Sequence, residues 1–256
     1  MPDGVMQGGT AMIVQYKLRL VRAERTALPS CLAYRLYAWL LDQIPREEAA
    51  CFHDQTQQAL TQYLERDGVW TVNLFGDDAV EQLGCVLEHV ERIILHAEEL
   101  TVQDRQIRPV GEPEDFLRMG RGEVGRRALL RIVSPAAFKQ SGRYVIFPQE
   151  GLLLQSLLMK WNAVCPKYPM EDADMLDEMK RGIRIVDYSL RTGRFQLKNA
   201  AIPSFYGKII LEERLPVVLK EIWNALLCLA PYSGIGIKTT LGMGGVQVNC
   251  LERQNR

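Results

Sequence analysis

Residues 234–245 have the sequence GIGIKTTLGMGG, with five glycines in twelve positions and Lys238, Thr239 and Thr240 at the centre. Glycine adopts positive φ angles at no steric cost and allows close backbone approach, so successive N–H groups in such a loop can converge on an anion. The lysine would add a positive charge and the two threonines would add hydroxyl donors. The pattern predicts an anion-binding loop or, as the alternative, a flexible hairpin.

The residues around these glycines exclude two common phosphate-binding motifs. A nucleotide-binding P-loop requires glycine directly before the lysine, where Ile237 stands. A dinucleotide-binding fingerprint follows an early strand and opens a helix. This loop instead follows a predicted amphipathic helix over residues 216–229 and leads into a predicted last strand over residues 246–250.

The rest of the second half contains further strands and helices in a similar order. Short runs rich in β-branched and aromatic residues predict strands, and apolar residues at helical spacing predict helices. The predicted strands are 129–133, 143–147, 183–190 and 207–211, and the predicted helices are 150–161 and 171–180.

The first half begins with the clearest pattern in the chain. Apolar and polar residues alternate over 13–21, which predicts a half-buried strand. Leu32, Leu36 and Leu40 then recur every four residues and predict one face of a helix. Residues 69–75 and 93–103 predict strands, and 77–90 predicts the helix between them. The order is that of a split βαβ, or ferredoxin-like, unit.

These patterns predict an α+β fold of two tandem ferredoxin-like (RRM-like, βαββαβ) domains with a C-terminal glycine-rich loop. The first domain would span 13–117 and the second 128–250. Residues 118–127, RMGRGEVGRR, show no periodicity and are interpreted as the linker. No sequence repeat between the halves is strong enough to prove a duplication.

The charges are distributed unevenly between the halves. The whole chain is neutral, but residues 1–125 carry 12 basic and 20 acidic side chains, whereas residues 126–256 carry 19 and 11. This asymmetry favours a polyanion partner for the second half, or mutual attraction of two domains. The six scattered cysteines form no C-x-x-C pair, and the sequence has neither a signal-peptide pattern nor an apolar run long enough to span a bilayer. We therefore expect a cytoplasmic protein with reduced thiols and no membrane partner.

Several segments together resemble the CRISPR-associated endoribonucleases that process precursor CRISPR RNA, which belong to the repeat-associated (RAMP) superfamily. Beside GIGIKTTLGMGG, which follows a helix ending in APYSG, the resemblance rests on five stretches and spans roughly residues 13–250. The stretches are SCLAYRLYAWLLDQI, CFHD, LLRIVSPAAFKQSGRY, LLLQSLLMKWN and IPSFYGKIILE.

The resemblance implies metal-independent cleavage of CRISPR repeat RNA, once per repeat, by attack of a 2′-hydroxyl. The products would be a 2′,3′-cyclic phosphate and mature guide RNA. It also implies His53 and Tyr37 as catalytic residues, because the family places a histidine after the first helix and a histidine or tyrosine on that helix. Some members have a lysine shortly after the histidine, but residues 54–65 contain no basic side chain. Lys238 or Arg184 could supply the missing cation, and the sequence does not choose between them.

RNA binding is expected from the glycine-rich loop and from the basic second half, with no cofactor. The other two histidines have no ligand spacing, so no metal site is predicted. The partner would be CRISPR repeat RNA, with a CRISPR interference complex receiving the product and homodimerisation left open. The alternative function is a non-catalytic RNA-binding RAMP subunit of a CRISPR ribonucleoprotein. The candidate RNA-binding residues are Gly234, Gly236, Lys238, Thr239, Thr240, Gly242, Gly244, Lys139, Arg143, Arg184 and Arg191, with Lys160 and Lys208 as further candidates.

Overall fold

A computed structural model of the chain describes residues 13–24, 26–52, 58–96, 98–122 and 125–251, apart from the side chains of residues 50 and 51. Strand β1 (Ile13–Val21) lies in the middle of the first sheet, where it pairs with strands on both sides. Tyr16, Leu18 and Leu20 are buried on one face, whereas Arg19 is exposed on the other. The alternation in the sequence therefore predicted this strand correctly.

The first sheet has five antiparallel strands in the order β2-β3-β1-β5-β4. Its other elements are β2 (Leu60–Leu64), β3 (Val69–Phe75), β4 (Arg92–Leu95) and β5 (Glu98–Gly111), with helices α1 (Leu32–Leu41), α2 (Arg46–Cys51) and α3 (Asp77–His89). Without β4, this is the ferredoxin-like order that the sequence predicted. The predicted single strand 93–103 is wrong, because the chain turns at His96, with a φ of 54°, and forms the hairpin β4–β5.

The second sheet has four antiparallel strands in the order β11-β6-β10-β9. Its elements are β6 (Arg127–Ala136), α5 (Glu150–Val164), α6 (Ala173–Gly182), β9 (Ile183–Gln196), β10 (Ala201–Glu213), α7 (Val217–Ser233) and β11 (Val246–Leu251). The predicted strand 143–147 does not join this sheet. Its first residues form β8 (Arg143–Val145), which pairs only with β7 (Phe138–Gln140).

We call the first sheet with α1–α3 the first unit, and the second sheet with α5–α7 the second unit. Between them lies helix α4 (Pro113–Gly120), which begins with a capping box formed by Glu112 and Asp115. The helix includes the first three residues of the predicted linker 118–127, and β6 includes its last residue. The boundaries of an irregular linker were therefore set too wide, while the division into two domains stays a prediction.

Two large apolar cores hold the units together. In the first unit Leu32, Leu36 and Leu40 of α1 are buried against the sheet, as their four-residue spacing predicted. The core of the second unit continues onto the first sheet, because Ile13 and Phe75 pack within it. The helices turn their apolar residues towards these cores, and none of those in the described ranges is long and apolar enough to cross a membrane.

Truncation of a leucine in the α1 stripe should destabilise the protein strongly. Leu36 is fully buried, so Leu36→Ala removes packed methyl groups and should lower the free energy of unfolding by about 2–5 kcal/mol. In Val218→Ala the lost methyl groups come from a side chain that is 68% exposed, so the change should stay within about 0.5 kcal/mol. Urea denaturation of both variants measures the difference. Equal destabilisation would contradict the observed packing of α1.

Candidate functional site

The glycine-rich loop, residues 234–245, lies between the two units and contacts both of them. At each of its five glycines an added Cβ atom would overlap a neighbouring residue, and at three of them that residue lies outside the loop. The neighbour of Gly242 is Ala33 on α1, that of Gly245 is the ring of Tyr63 on β2, and that of Gly236 is the carbonyl of Ala137 in the second unit. These glycines are therefore needed so that the units can approach each other through the loop.

Most of the backbone N–H groups in this loop donate hydrogen bonds within the protein. Their acceptors are Ala230 O for Gly234, Gly244 O for Ile235, Ser156 Oγ for Gly236, Ala137 O for Ile237, Pro135 O for Gly244 and Ser134 Oγ for Gly245. The expected convergence of glycine N–H groups on an anion is therefore not met at these positions. In the described part of the chain, the N–H groups of Lys238, Thr239 and Thr240 donate to no acceptor. An anion would meet the loop there, where Lys238 is exposed with a φ of 57°.

The buried side chain of Gln62 fixes the loop against the first unit. Its Nε2 atom donates to Ala33 O of α1 at 2.9 Å and to Thr240 O of the loop at 3.0 Å. Its Oε1 atom accepts from Trp70 Nε1 at 2.9 Å. Both ends of the amide are therefore paired, and the helix, the sheet and the loop are joined at one point.

Thr239 of the loop is the meeting point of the two units. Its Oγ1 atom accepts from Lys160 Nζ of α5 at 2.6 Å and from Gln58 Nε2 of the first unit at 3.4 Å. Gln58 also donates to Ser233 O at 3.2 Å. Burial lowers the pKa of Lys160 to about 8. No local pattern in the sequence predicts this cluster, because its members are distant along the chain.

The structure describes only one of the two predicted catalytic residues, Tyr37. His53 lies outside the described residues. Tyr37 is only 6% exposed and packs within the core of the first unit, and burial raises its pKa. Its hydroxyl donates to the carbonyl of Phe52 at 3.4 Å. The catalytic role of Tyr37 stays a prediction, and its hydroxyl is bonded to the residue directly before His53.

A groove of about 780 Å³ runs along the outer face of α1. The tyrosine that α1 presents to this groove is Tyr34, beside Arg35 and Trp39, with Lys198 and His96 on other walls. Sequence reasoning missed these residues. For Tyr34 a signal was available, because the helical spacing places it on the side of α1 opposite the buried leucine stripe.

A second polar surface lies where the outer faces of the two sheets meet. Gln247 Nε2 is 3.4 Å from Glu65 Oε2, and the guanidinium carbon of Arg66 lies 5.3 Å from the centre of the Tyr206 ring. Arg131 stands in register with Gln247 on one side and with Lys208 on the other. We call this surface the sheet seam. Its residues are Glu65 and Arg66 of the first unit and Arg131, Arg191, Tyr206, Lys208 and Gln247 of the second.

The electrostatics of Glu65 confirm that cations of both units lie close to the seam. Burial and the charge of Asp67 raise the pKa of Glu65, while Lys17 of the first sheet and Arg131 of the second act in the opposite direction. Two other basic side chains of the seam, Arg66 and Lys208, are exposed. The seam therefore keeps an excess of positive charge around a partly buried aromatic ring.

The predicted basic residues do not form one site. Arg191 stands in register with Tyr206 and so lies at the sheet seam. Arg184 donates to the carbonyls of Lys180 and Ile183 and ends helix α6. Lys139 and Arg143 lie on the exposed β7–β8 hairpin, whose two strands pair only with each other. Sequence reasoning missed Arg66 and Arg131, which only the pairing of strands brings to the seam.

The remaining histidines lie on separate elements. His89 ends α3, where its Nδ1 atom is 2.9 Å from Cys85 O, and His96 occupies the β4–β5 turn. Across the described ranges, no group of three or more His, Cys, Asp or Glu side chains is arranged to hold a metal ion.

The close approach at Gly236 can be tested against a glycine of similar conformation. Gly236 and Gly142 have φ angles of 72° and 78°, but a Cβ atom meets Ala137 O at the first and open space at the second. Each alanine variant should incur the strain of a positive φ, about 1–2 kcal/mol. In chemical denaturation, Gly236→Ala should lower the free energy of unfolding clearly more than Gly142→Ala does. Only the substitution at Gly236 also disturbs the packing of the loop. Equal costs would contradict this role.

Comparisons with known protein families and with curated proteins point to the same group of relatives. The family model of the CRISPR-associated endoribonuclease Cas6 matches residues 130–246. The chain is 29% identical over 222 residues to the CRISPR-associated endoribonuclease Cas6 of Streptococcus thermophilus, which covers 85% of this chain and 91% of the relative. A similar relative from Mycobacterium tuberculosis is 26% identical and covers 86% of this chain and 72% of the relative.

The fold agrees with these relationships. The structure of Thermus thermophilus Cas6 superposes with a TM-score of 0.73 at 22% identity, and the match covers 94% of this chain and 100% of that one. With the two ferredoxin-like sheets described above, the matches show that this chain is similar over most of its length to the Cas6 CRISPR-associated endoribonucleases and shares the fold of the solved one.

Proposed function

We propose that the protein binds CRISPR repeat RNA along the sheet seam and cuts the precursor transcript once per repeat, without a metal ion. The observation that supports this most strongly is the seam itself, where Arg66 lies over the Tyr206 ring, Arg191 stands opposite Tyr206, and Arg131 and Lys208 pair on the adjoining strands. Basic side chains attract phosphates, and an aromatic ring beside a guanidinium offers a stacking surface for a base. The names of the relatives, which are endoribonucleases, support the same conclusion.

The proposed reaction is an internal transesterification. The 2′-hydroxyl of one nucleotide attacks the adjacent phosphorus while the bond from phosphorus to the 5′-oxygen of the next nucleotide breaks. A base takes the proton of the 2′-hydroxyl, and an acid gives a proton to the departing 5′-oxygen. The products are a 2′,3′-cyclic phosphate on one fragment and a 5′-hydroxyl on the other.

We assign a proton-transfer role to His53 and a positioning role to Tyr37. Imidazole titrates near neutral pH and so can exchange protons under cellular conditions. Tyr37 would act through its bond to the carbonyl of Phe52, which is directly bonded to His53 in the chain. The mature guide RNA would form in the cytoplasm and pass to a CRISPR interference complex.

The first prediction of this proposal is a single cut in labelled repeat RNA from the same genome, in the presence of EDTA. His53→Ala should abolish the cut while binding persists, because it removes a proton-transfer group. A 2′-deoxy substitution at the cut site should have the same effect, because it removes the nucleophile. Gel analysis of the fragments and their end groups measures both results.

The matched controls separate cleavage from binding. Wild-type protein that binds the cognate repeat tightly and leaves it whole would contradict the enzyme and favour the non-catalytic RNA-binding subunit. Cleavage of the 2′-deoxy RNA would show a different nucleophile. A cut that disappears in EDTA and returns with added Mg²⁺ would contradict metal independence.

A second prediction concerns the sheet seam. Arg191→Gln and Lys208→Gln should each weaken RNA binding and reduce the slope of log affinity against log salt by about 1, as loss of one phosphate contact requires. Lys180→Gln is the matched control, since Lys180 lies on α6 and contacts Asp177. Filter binding of 2′-deoxy repeat RNA at several salt concentrations measures the slopes. Unchanged slopes in the two seam variants would place the RNA elsewhere.

A further inference from the structure

The ammonium group of Lys160 forms no ion pair with any residue that the structure describes. Lys160 lies on α5 and keeps only part of its surface exposed. Within the described residues no carboxylate lies within ion-pair distance, 4 Å, of its Nζ atom, and its hydrogen bond goes to the neutral hydroxyl of Thr239. Two of its three N–H groups therefore remain for another acceptor.

Such a group is costly in a folded protein unless an anion reaches it. Removing an ammonium from water disfavours its charged form, in line with the lowered pKa of Lys160. The ion is stabilised again when a phosphate binds beside it, because the pair attracts strongly where water is partly excluded. The residual exposure of Lys160 leaves a route by which a phosphate can reach it.

The neighbours of Lys160 connect it to the first unit. The buried Thr239 hydroxyl oxygen accepts from both Lys160 and Gln58. Gln58 belongs to the first unit and follows residues 53–57, which include His53, directly in the chain. The cluster therefore joins a cation of the second unit to the part of the first unit in which the catalytic histidine is proposed.

We propose that Lys160 is the catalytic cation of the cleavage, and that its ammonium contacts a non-bridging oxygen of the phosphate at the cut site. This proposal rests on the proposed function. The lysine keeps its proton throughout, and the bonds that form and break are those of the transesterification. Its charge stabilises the extra negative charge that the phosphate oxygens gain as the 2′-oxygen attacks.

The geometry favours Lys160 over the two cations considered from the sequence. Arg184 is engaged with carbonyls at the end of α6. Lys238 is exposed to solvent, where its charge is screened. Lys160 alone among the three combines partial burial with a place beside Thr239.

Three variants test the proposal in single-turnover cleavage at saturating protein. Lys160→Met should cut about 100-fold more slowly, the loss typical of removing one group that stabilises an oxyanion. Lys160→Arg keeps the charge and should lose less. Lys180→Met, the matched control on the exposed face of α6, should cut like wild type. Binding of 2′-deoxy repeat RNA by Lys160→Met should remain, because many other phosphate contacts supply the affinity.

The pH dependence provides a readout that a purely structural lysine would not give. Lys160 is charged below a pKa of about 8 in the free protein and loses its proton as the pH rises through that value. Arginine stays charged throughout this range. The ratio of the wild-type rate to the Lys160→Arg rate at subsaturating protein should therefore fall above pH 8.

The outcomes that would overturn the proposal are distinct. Cleavage by Lys160→Met at the wild-type rate would remove the lysine from the mechanism. Loss of 2′-deoxy RNA binding would reduce it to an affinity contact, and a lower melting temperature than wild type would make its role structural, because loss of an uncompensated charge should not destabilise the fold. Failure of the wild-type protein itself to cut the cognate repeat would refute the proposed function, and this inference with it.

Discussion

The buried amide of Gln62 is the contact on which the arrangement of the site depends. It receives a hydrogen bond from Trp70 in the first sheet and donates to Ala33 on α1 and to Thr240 in the glycine-rich loop. An amide has few bonding positions, and here helix, sheet and loop share one side chain. Because a buried donor or acceptor without a partner is costly, none of these three elements can move away from the others cheaply. The position of Thr239, the residue directly before Thr240, follows from this constraint.

The glycines of the loop matter mainly because they have no side chain. Side chains at Gly236, Gly242 and Gly245 would collide with both units, so the loop can occupy a space that no other sequence would fit without shifting its neighbours. The same close approach explains why the loop's N–H groups are used inside the protein. Glycine content by itself therefore did not distinguish an anion cradle from a packing segment. The distinction depends on the acceptors Ser134 and Ser156, which lie far away in sequence.

The sequence predicted those parts of the fold that local patterns encode. The alternation over 13–21 and the leucine spacing in α1 gave the elements, and their order gave the ferredoxin-like topology. The turn at His96 was missed because a non-glycine residue there adopts a positive φ, which no local rule indicates. The site was harder to predict, since the inward orientation of Tyr37 and the meeting of Gln58 with Lys160 are results of tertiary packing. The family resemblance predicted the chemistry. The surfaces around the site could be described only once the pairing of the strands was known.

The placement of Thr239 between Gln58 and Lys160 makes the site a property of both units together. A ferredoxin-like unit can fold around its own core, but the contacts at Thr239 exist only where one unit faces the other. The shared core supports this, because Ile13 and Phe75 of the first sheet pack among residues of the second unit. A buried cation is tolerable there since the surrounding packing supplies the stability that its desolvation removes. The site therefore depends on the interface as much as on either unit, and the glycine-rich loop, which packs closely against both, is the segment that forms this interface.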